Sequence, residues 1–174
     1  KKTDGFDFIP YYEGFKGTVS RLDEHKFLVK GCYEKVDANT ILITELPVGK
    51  WTMPYVSFVE QLIDKKTVVR DIHSLSTEVN VHIQITLARG ALSSLESESD
   101  SCGVNGLEKL LKLTTTVSTT NMHMFDEKCR LHKYKNVPEI IDAYAEVRLR
   151  HYDMRKSYLV DAMEKKLGRM SKKA

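Results

Sequence analysis

Thr77-Glu78-Val79-Asn80-Val81-His82-Ile83-Gln84-Ile85-Thr86-Leu87 alternates apolar and polar side chains without interruption. Successive side chains of a strand point to opposite faces, so Val79, Val81, Ile83, Ile85 and Leu87 are predicted to share a buried face, while Glu78, Asn80, His82, Gln84 and Thr86 face water or polar contacts. Upstream, Asn39-Thr40-Ile41-Leu42-Ile43-Thr44-Glu45-Leu46 is apolar on both sides, as a strand buried on two faces would be, and Pro47 closes it. Before it, Lys26 to Tyr33 sets Phe27, Val29 and Tyr33 on one period-two face. Downstream come the β-branched run Thr114 to Thr120 and two short strands near 123–125 and 130–134, which flank a hairpin turn at Asp126-Glu127-Lys128.

Helices fill the intervals. Val56, Val59, Leu62 and Ile63 recur at helical spacing, so a helix is expected near 53–65, with Thr52 as the cap that accepts a backbone N–H. A short helix is expected from Leu107 to about Leu111. Asn136 and Glu139 have the spacing of a capping box, Pro138 suits a first turn, and no breaker follows before Gly168. Some thirty residues at about 1.5 Å each make a rod of about 45 Å, longer than a domain of this size needs; it is expected to project, with the chain ending before a packing partner arrives. The fold class is therefore α+β: a small, mostly antiparallel sheet with packed helices, leading into a long carboxyl-terminal helix. The Ser-rich, acidic stretch 91–106 is expected to be a mobile surface loop that duplex DNA would avoid.

Composition excludes several classes. With 41% apolar residues among 174, whole-chain disorder is ruled out. No apolar run approaches the roughly 18 residues of a membrane span. The amino end, Lys1-Lys2-Thr3-Asp4-Gly5, lacks an initiator Met and a signal-like apolar core, as expected of a piece cut from a longer chain. Three scattered cysteines, Cys32, Cys102 and Cys129, suit a reducing compartment better than a disulfide framework. The net charge of +3 conceals an asymmetry: residues 148–174 hold nine basic side chains against three acidic ones, and the remainder is acidic on balance. A basic terminal helix fits phosphate contact or a solvated face.

Catalytic constellations are sparse. Cys129, His132 and His123 could supply three zinc ligands, but a fourth is not evident and strand alternation would point some of them apart. There is no Gly-rich phosphate loop of the Walker or Rossmann kind. Two short segments carry more information. Gly14-Phe15-Lys16-Gly17 sets a cation and a ring between glycines, and Gly49-Lys50-Trp51-Thr52 does so just before a helix amino terminus. Either could receive a phosphate; either could instead be a core aromatic beside a solvated lysine.

Four segments in order, Ile9-Pro10-Tyr11-Tyr12-Glu13-Gly14-Phe15-Lys16-Gly17-Thr18-Val19, Ile43-Thr44-Glu45-Leu46-Pro47-Val48-Gly49-Lys50-Trp51-Thr52, Ser118-Thr119-Thr120-Asn121-Met122-His123-Met124-Phe125-Asp126 and Glu146-Val147-Arg148-Leu149-Arg150-His151-Tyr152-Asp153-Met154-Arg155-Lys156, resemble type IIA DNA topoisomerases of the eukaryotic kind, cellular or encoded by large DNA viruses. The resemblance spans nearly the whole chain. It implies a tower domain, residues 1–136, of the DNA-cleavage core, and at 137–174 the start of the coiled-coil arm toward the carboxyl-terminal gate. It also implies a parent enzyme that is ATP-dependent, uses Mg2+, is a homodimer and acts inside the cell, in the nucleus if cellular or at a viral replication site in the host. The family's nucleophilic Tyr follows an Arg, and none of the eight tyrosines here does. The acidic metal site and ATP-binding motifs are absent from the chain as well, so it is expected to hold duplex DNA, without sequence preference, and not to cut it, with no cofactor of its own and no membrane. The implied DNA-contacting residues are Lys16, Lys50, Trp51, Asn121 and His123, followed by Lys128 and Arg130. Met53 stands where the family usually has Gln, and Gly49-Lys50 replaces a basic-then-Thr order. Other classes compatible with the residues are a free-standing nucleic-acid-binding module, a protein-interaction scaffold and a small cysteine-dependent enzyme.

Overall fold

The computed structural model describes residues 8–172, in two compact units: Ile9–Thr119, and the segment from Thr120 onward together with Phe8.

In the first unit the chain forms β1 (Thr18–Asp23), β2 (Lys26–Lys30), β3 (Cys32–Lys35), β4 (Thr40–Glu45), α1 (Thr52–Asp64), β5 (Val69–Ser74), β6 (Ile83–Leu87), α2 (Ala91–Ser97), α3 (Gly106–Leu110) and β7 (Thr114–Ser118). These strands make two antiparallel sheets, β1-β2-β7 and β3-β4-β6-β5. The run from Lys26 to Tyr33 is thus split. The chain leaves one sheet at Lys30 and enters the other at Cys32, with Gly31 alone between them. A Cβ at Gly31 would sit 2.3 Å from the Glu45 carbonyl oxygen, which only glycine avoids. Phe27, Leu28 and Val29 are all buried, so β2 is covered on both faces, not on one.

Burial explains the second sheet. Ile41 and Ile43 of β4 and Ile83 and Ile85 of β6 are fully buried, directly paired in register, and joined by Tyr55 and Val59 of α1, Leu92 of α2, and Leu107, Leu111 and Leu113. Each such aliphatic side chain removed from water contributes about 1.5–3 kcal/mol, so this cluster dominates the unit's stability. Tyr55 also donates its hydroxyl to the Leu111 carbonyl at 2.8 Å, and burial raises the phenol well above its ordinary pKa.

Three expectations are corrected here. The strand expected over 77–87 begins only at Ile83. Thr77 Oγ1 accepts from the Val79 and Asn80 amides and Thr77 N–H bonds the Asn80 carbonyl, closing the β5–β6 hairpin. Val79, in that turn, is 89% exposed: its alternation with Val81 carries no burial. The helix α1 is capped at Trp51, with no side-chain cap bond, and not by Thr52. Finally, 91–106 is not a loop throughout. Leu92 and Val104 are buried, α2 occupies most of the Ser-rich run, and lysines neutralise its acids: Lys35–Glu96 at 2.6 Å, Lys109–Asp100 at 2.8 Å, and Lys30–Glu108 at 3.0 Å. Asn105 and Glu108 complete a capping box for α3, with bonds of 2.7 and 2.9 Å.

The second unit contains β8 (His123–Phe125), β9 (Leu131–Lys133) and α4 (Val137–Ser171). The 35-residue α4 is about 52 Å long at about 1.5 Å per residue and has no buried residue. It passes through Gly168. Asn136 accepts from the Glu139 amide at 3.0 Å, while the Glu139 carboxylate reaches Lys135 N–H at 2.6 Å, one residue before the expected capping-box partner.

Candidate nucleic-acid interface

In the first unit, two lysine-aromatic segments reach the surface by different routes. Phe15 N–H bonds the Tyr12 carbonyl, Gly14 takes φ +77°, and Lys16 emerges exposed. Its backbone is pinned on both sides. The Lys16 amide donates to Glu45 Oε2 at 3.4 Å and its carbonyl accepts from Cys32 Sγ at 3.3 Å. Burial, then the carboxylates of Glu45 and Glu34, raise the Cys32 thiol and leave it a poor nucleophile. A Cβ at Gly17 would lie 2.1 Å from the Lys30 carbonyl oxygen and 2.3 Å from the Phe15 ring, so the glycine after Lys16 is what lets the segment lie against β2.

Lys50 behaves otherwise. Its ammonium donates to the Lys112 and Thr114 carbonyls, clamping the start of β7; burial, and then the Lys112 charge, lower its pKa. As an outward phosphate contact it is therefore weaker than the sequence implies. Trp51, next to it, is 79% exposed at the amino terminus of α1, which excludes the core-anchor reading for that indole. A large aromatic ring left in water beside a helix amino terminus is an uncovered hydrophobic surface suited to a partner.

In the second unit the hairpin presents Asn121, His123, Lys128 and Arg130, all exposed. With Asn121 Oδ1 accepting at 2.7 Å, His123 Nδ1 carries the hydrogen and Nε2 is left for an outside group. Asp126 organises the turn. It accepts from the Lys128 amide at 2.8 Å, the Arg130 amide at 2.9 Å and the Arg130 guanidinium at 3.0 and 3.1 Å, while Cys129 takes φ 56°. The Arg130 backbone bond, ahead of its side chain, holds the Asp126 carboxyl below the usual range. Arg130 is thus half committed to the turn, and Lys128 is the freer cation. Glu127 pairs with Arg150, and a cleft of about 490 Å³ between hairpin and α4 is lined by Phe125, Tyr134, Ile140, Tyr144 and Val147 among others.

His123 pairs with Lys133 and Met124 with His132, so the two histidines fall on opposite faces of the ribbon. Among the described residues no group of three His, Cys, Asp or Glu side chains could hold a metal ion. The sequence pattern alone does not single out Asp126 as turn organiser; Asp four residues before Arg in a Gly-poor turn is the available signal.

The family model for DNA gyrase/topoisomerase IV matches residues 3–174. The chain is 37% identical over 165 residues to mitochondrial DNA topoisomerase 2 of Dictyostelium discoideum, covering 94% of this chain and 12% of that protein. It is 33% identical over 168 residues to human DNA topoisomerase 2-beta, covering 90% and 10% respectively. It superposes on the crystal structure of the Plasmodium falciparum topoisomerase II DNA-binding, cleavage and re-ligation domain with TM-score 0.80 and 34% identity, covering 91% of this chain and 21% of that one. The chain therefore spans about a tenth of the length of these full-length relatives.

Proposed function

The chain belongs to the DNA gyrase/topoisomerase IV family, and on that premise we propose that residues 1–136 are the tower of the DNA-cleavage core of an ATP-dependent, homodimeric type IIA topoisomerase, with residues 137–174 opening its coiled-coil arm. The tower flanks the duplex that is cut and helps hold it bent; the cutting Tyr lies elsewhere in the parent. The observation that carries this reading is the likeness, over 91% of the chain at 34% identity, to a domain that binds, cleaves and re-ligates DNA.

A part with this task needs little base readout. Cations and backbone amides position phosphates, and sequence preference comes from how easily the duplex bends. Smooth bending of 20–30 base pairs costs about 1–6 kcal/mol, which distributed contacts must offset. Lys16 and Lys128 supply exposed charge, Trp51 and His123 supply a ring and an imidazole nitrogen, and Asn121 and Asp126 fix His123 and Arg130. Lys50 acts a step behind, holding the backbone beside Trp51. The Mg2+ and ATP of the parent's reaction have no ligand set among the described residues, and no step here runs through them.

The test is duplex binding by the chain over a range of salt. Weak binding, equal across unrelated sequences, with a log–log slope near −0.9 per phosphate contacted, is expected. Tight, salt-insensitive binding to one sequence, or a denaturant-resistant covalent adduct with DNA, would overturn the reading.

A further inference from the structure

Charged side chains on α4 are sorted by sign. At about 100° per residue, Arg148, His151, Arg155, Lys166 and Arg169 fall within an arc of about 60°, while Glu139, Asp142, Glu146, Asp153, Asp161 and Glu164 fall within about 100° on the far side. Arg150, on the acidic side, is paired with Glu127. Lys156 and Lys165 lie outside both arcs.

The basic arc is also built. The Arg148 guanidinium lies over the Tyr152 ring, 4.9 Å from its centroid, an arrangement that restricts its rotamers. His151 Nδ1 bonds the Val147 carbonyl at 2.8 Å, which fixes the imidazole and leaves Nε2 open. Arg148, His151, Tyr152 and Arg155 frame a shallow depression of about 240 Å³. From Arg148 to Arg169 the stripe runs about 32 Å along the rod at about 1.5 Å per residue.

We propose that this stripe is a phosphate-binding surface that seats the backbone of a duplex, separate from Lys16, Trp51 and the hairpin. A rigid row of cations of this length suits a stiff polyanion carrying one charge per about 1.7 Å of axis. An acidic protein helix would need apolar anchors interleaved with the charges. On α4 those anchors lie on the neighbouring arc, where Leu149, Leu159, Met163, Leu167 and Met170 form an exposed seam. A helix packed on that seam would leave the basic arc open. The proposal rests on the duplex reading above only for the nature of the ligand.

The test uses the whole 174-residue chain and a labelled duplex of about 20 base pairs, titrated from about 50 to about 200 mM salt. The variant Arg148→Gln/Arg155→Gln/Arg169→Gln, in which Gln keeps helix propensity, should make the slope less negative by roughly 2–3, or about 0.9 per lost contact. Circular dichroism should show α4 unchanged. Lys156→Gln/Lys165→Gln, which removes charge from other faces, should leave the slope in place. If the triple variant keeps the original slope while Lys16→Ala/Lys128→Ala lowers it, the stripe is overturned and the tower contacts stand. The reverse pattern supports the stripe and removes those contacts. Equal displacement of the duplex by polyglutamate would assign the stripe to an acidic protein and overturn the proposal, and a chain that binds no duplex at low salt overturns both.

Discussion

Replacing Trp51 with Ser separates binding from folding at one position. The 79% exposure leaves only about 50 Å² of an indole's roughly 250 Å² covered. At about 25 cal/mol per Å², the loss is about 1.3 kcal/mol, and less once the compactness of the unfolded chain is allowed for. Ser brings a compensation. Trp51 is the N-cap of α1, at φ −87° and ψ 143°, with no side-chain cap bond, and a Ser hydroxyl there stabilises a helix by about 1 kcal/mol. The two terms nearly cancel, so the melting temperature should move by no more than about 4 °C. Duplex affinity should fall about tenfold, equivalent to about 1.4 kcal/mol, because the ring is lost from the interface. Thermal melts and anisotropy titrations at one salt concentration decide it. A loss of about 3 kcal/mol or more in stability would mean that the indole is a core anchor; unchanged affinity in a folded variant would remove Trp51 from the interface.

Three further outcomes are expected. Lys50→Met should leave the Lys112 and Thr114 carbonyls without their donor and cost about 1–2 kcal/mol by chemical denaturation, while changing duplex affinity less than Lys16→Ala does; a larger affinity loss than Lys16→Ala would make Lys50 a direct contact. Gly17→Ala should destabilise the first unit, since its Cβ must displace the Lys30 carbonyl or the Phe15 ring, and a melting temperature equal to the parent's would show that the segment can yield. For Asp126, a folded pKa below the unfolded value contributes stability to the turn that is complete above the ordinary carboxylate range and lost as pH falls through the folded value. Carboxyl NMR titration of Arg130→Ala should still find Asp126 depressed, because the Arg130 backbone amide is the larger cause; a return to the ordinary value would assign the effect to the guanidinium.

Much of the fold is legible in the sequence because burial and period coincide. Ile41 and Ile43 lie in a run too apolar to be anything but interior, and the helix over 52–64 follows from Val56, Val59 and Ile63. Legibility fails where local chemistry overrides pattern. Val79 keeps the alternation of its neighbours, yet the Thr77 hydroxyl captures the chain into a turn. The serines and acids of 91–106 have a loop's composition, but the residues that order the segment, Lys30 and Lys35, stand some sixty to seventy positions earlier and cannot be matched to it without the sheets. The strand β5 leaves no clear trace in the pattern: Arg70, Asp71 and His73 interrupt its apolar residues because it is an edge. At the interface, the aromatic-lysine pairs are visible as types, but sequence does not say which lysine turns inward. That depends on carbonyls of Lys112 and Thr114, supplied from across the domain.

The junction at Gly31 has a mechanical consequence. Lys30 is hydrogen-bonded into one sheet and Cys32 into the other, and the intervening residue is itself held, its amide on the Leu113 carbonyl at 2.9 Å. A load applied to β2 therefore reaches β3 through a single restrained peptide link with no slack to absorb it. Pulled from β1 and β4, the two sheets should yield as one event, without a stage in which one is lost while the other bears the tension.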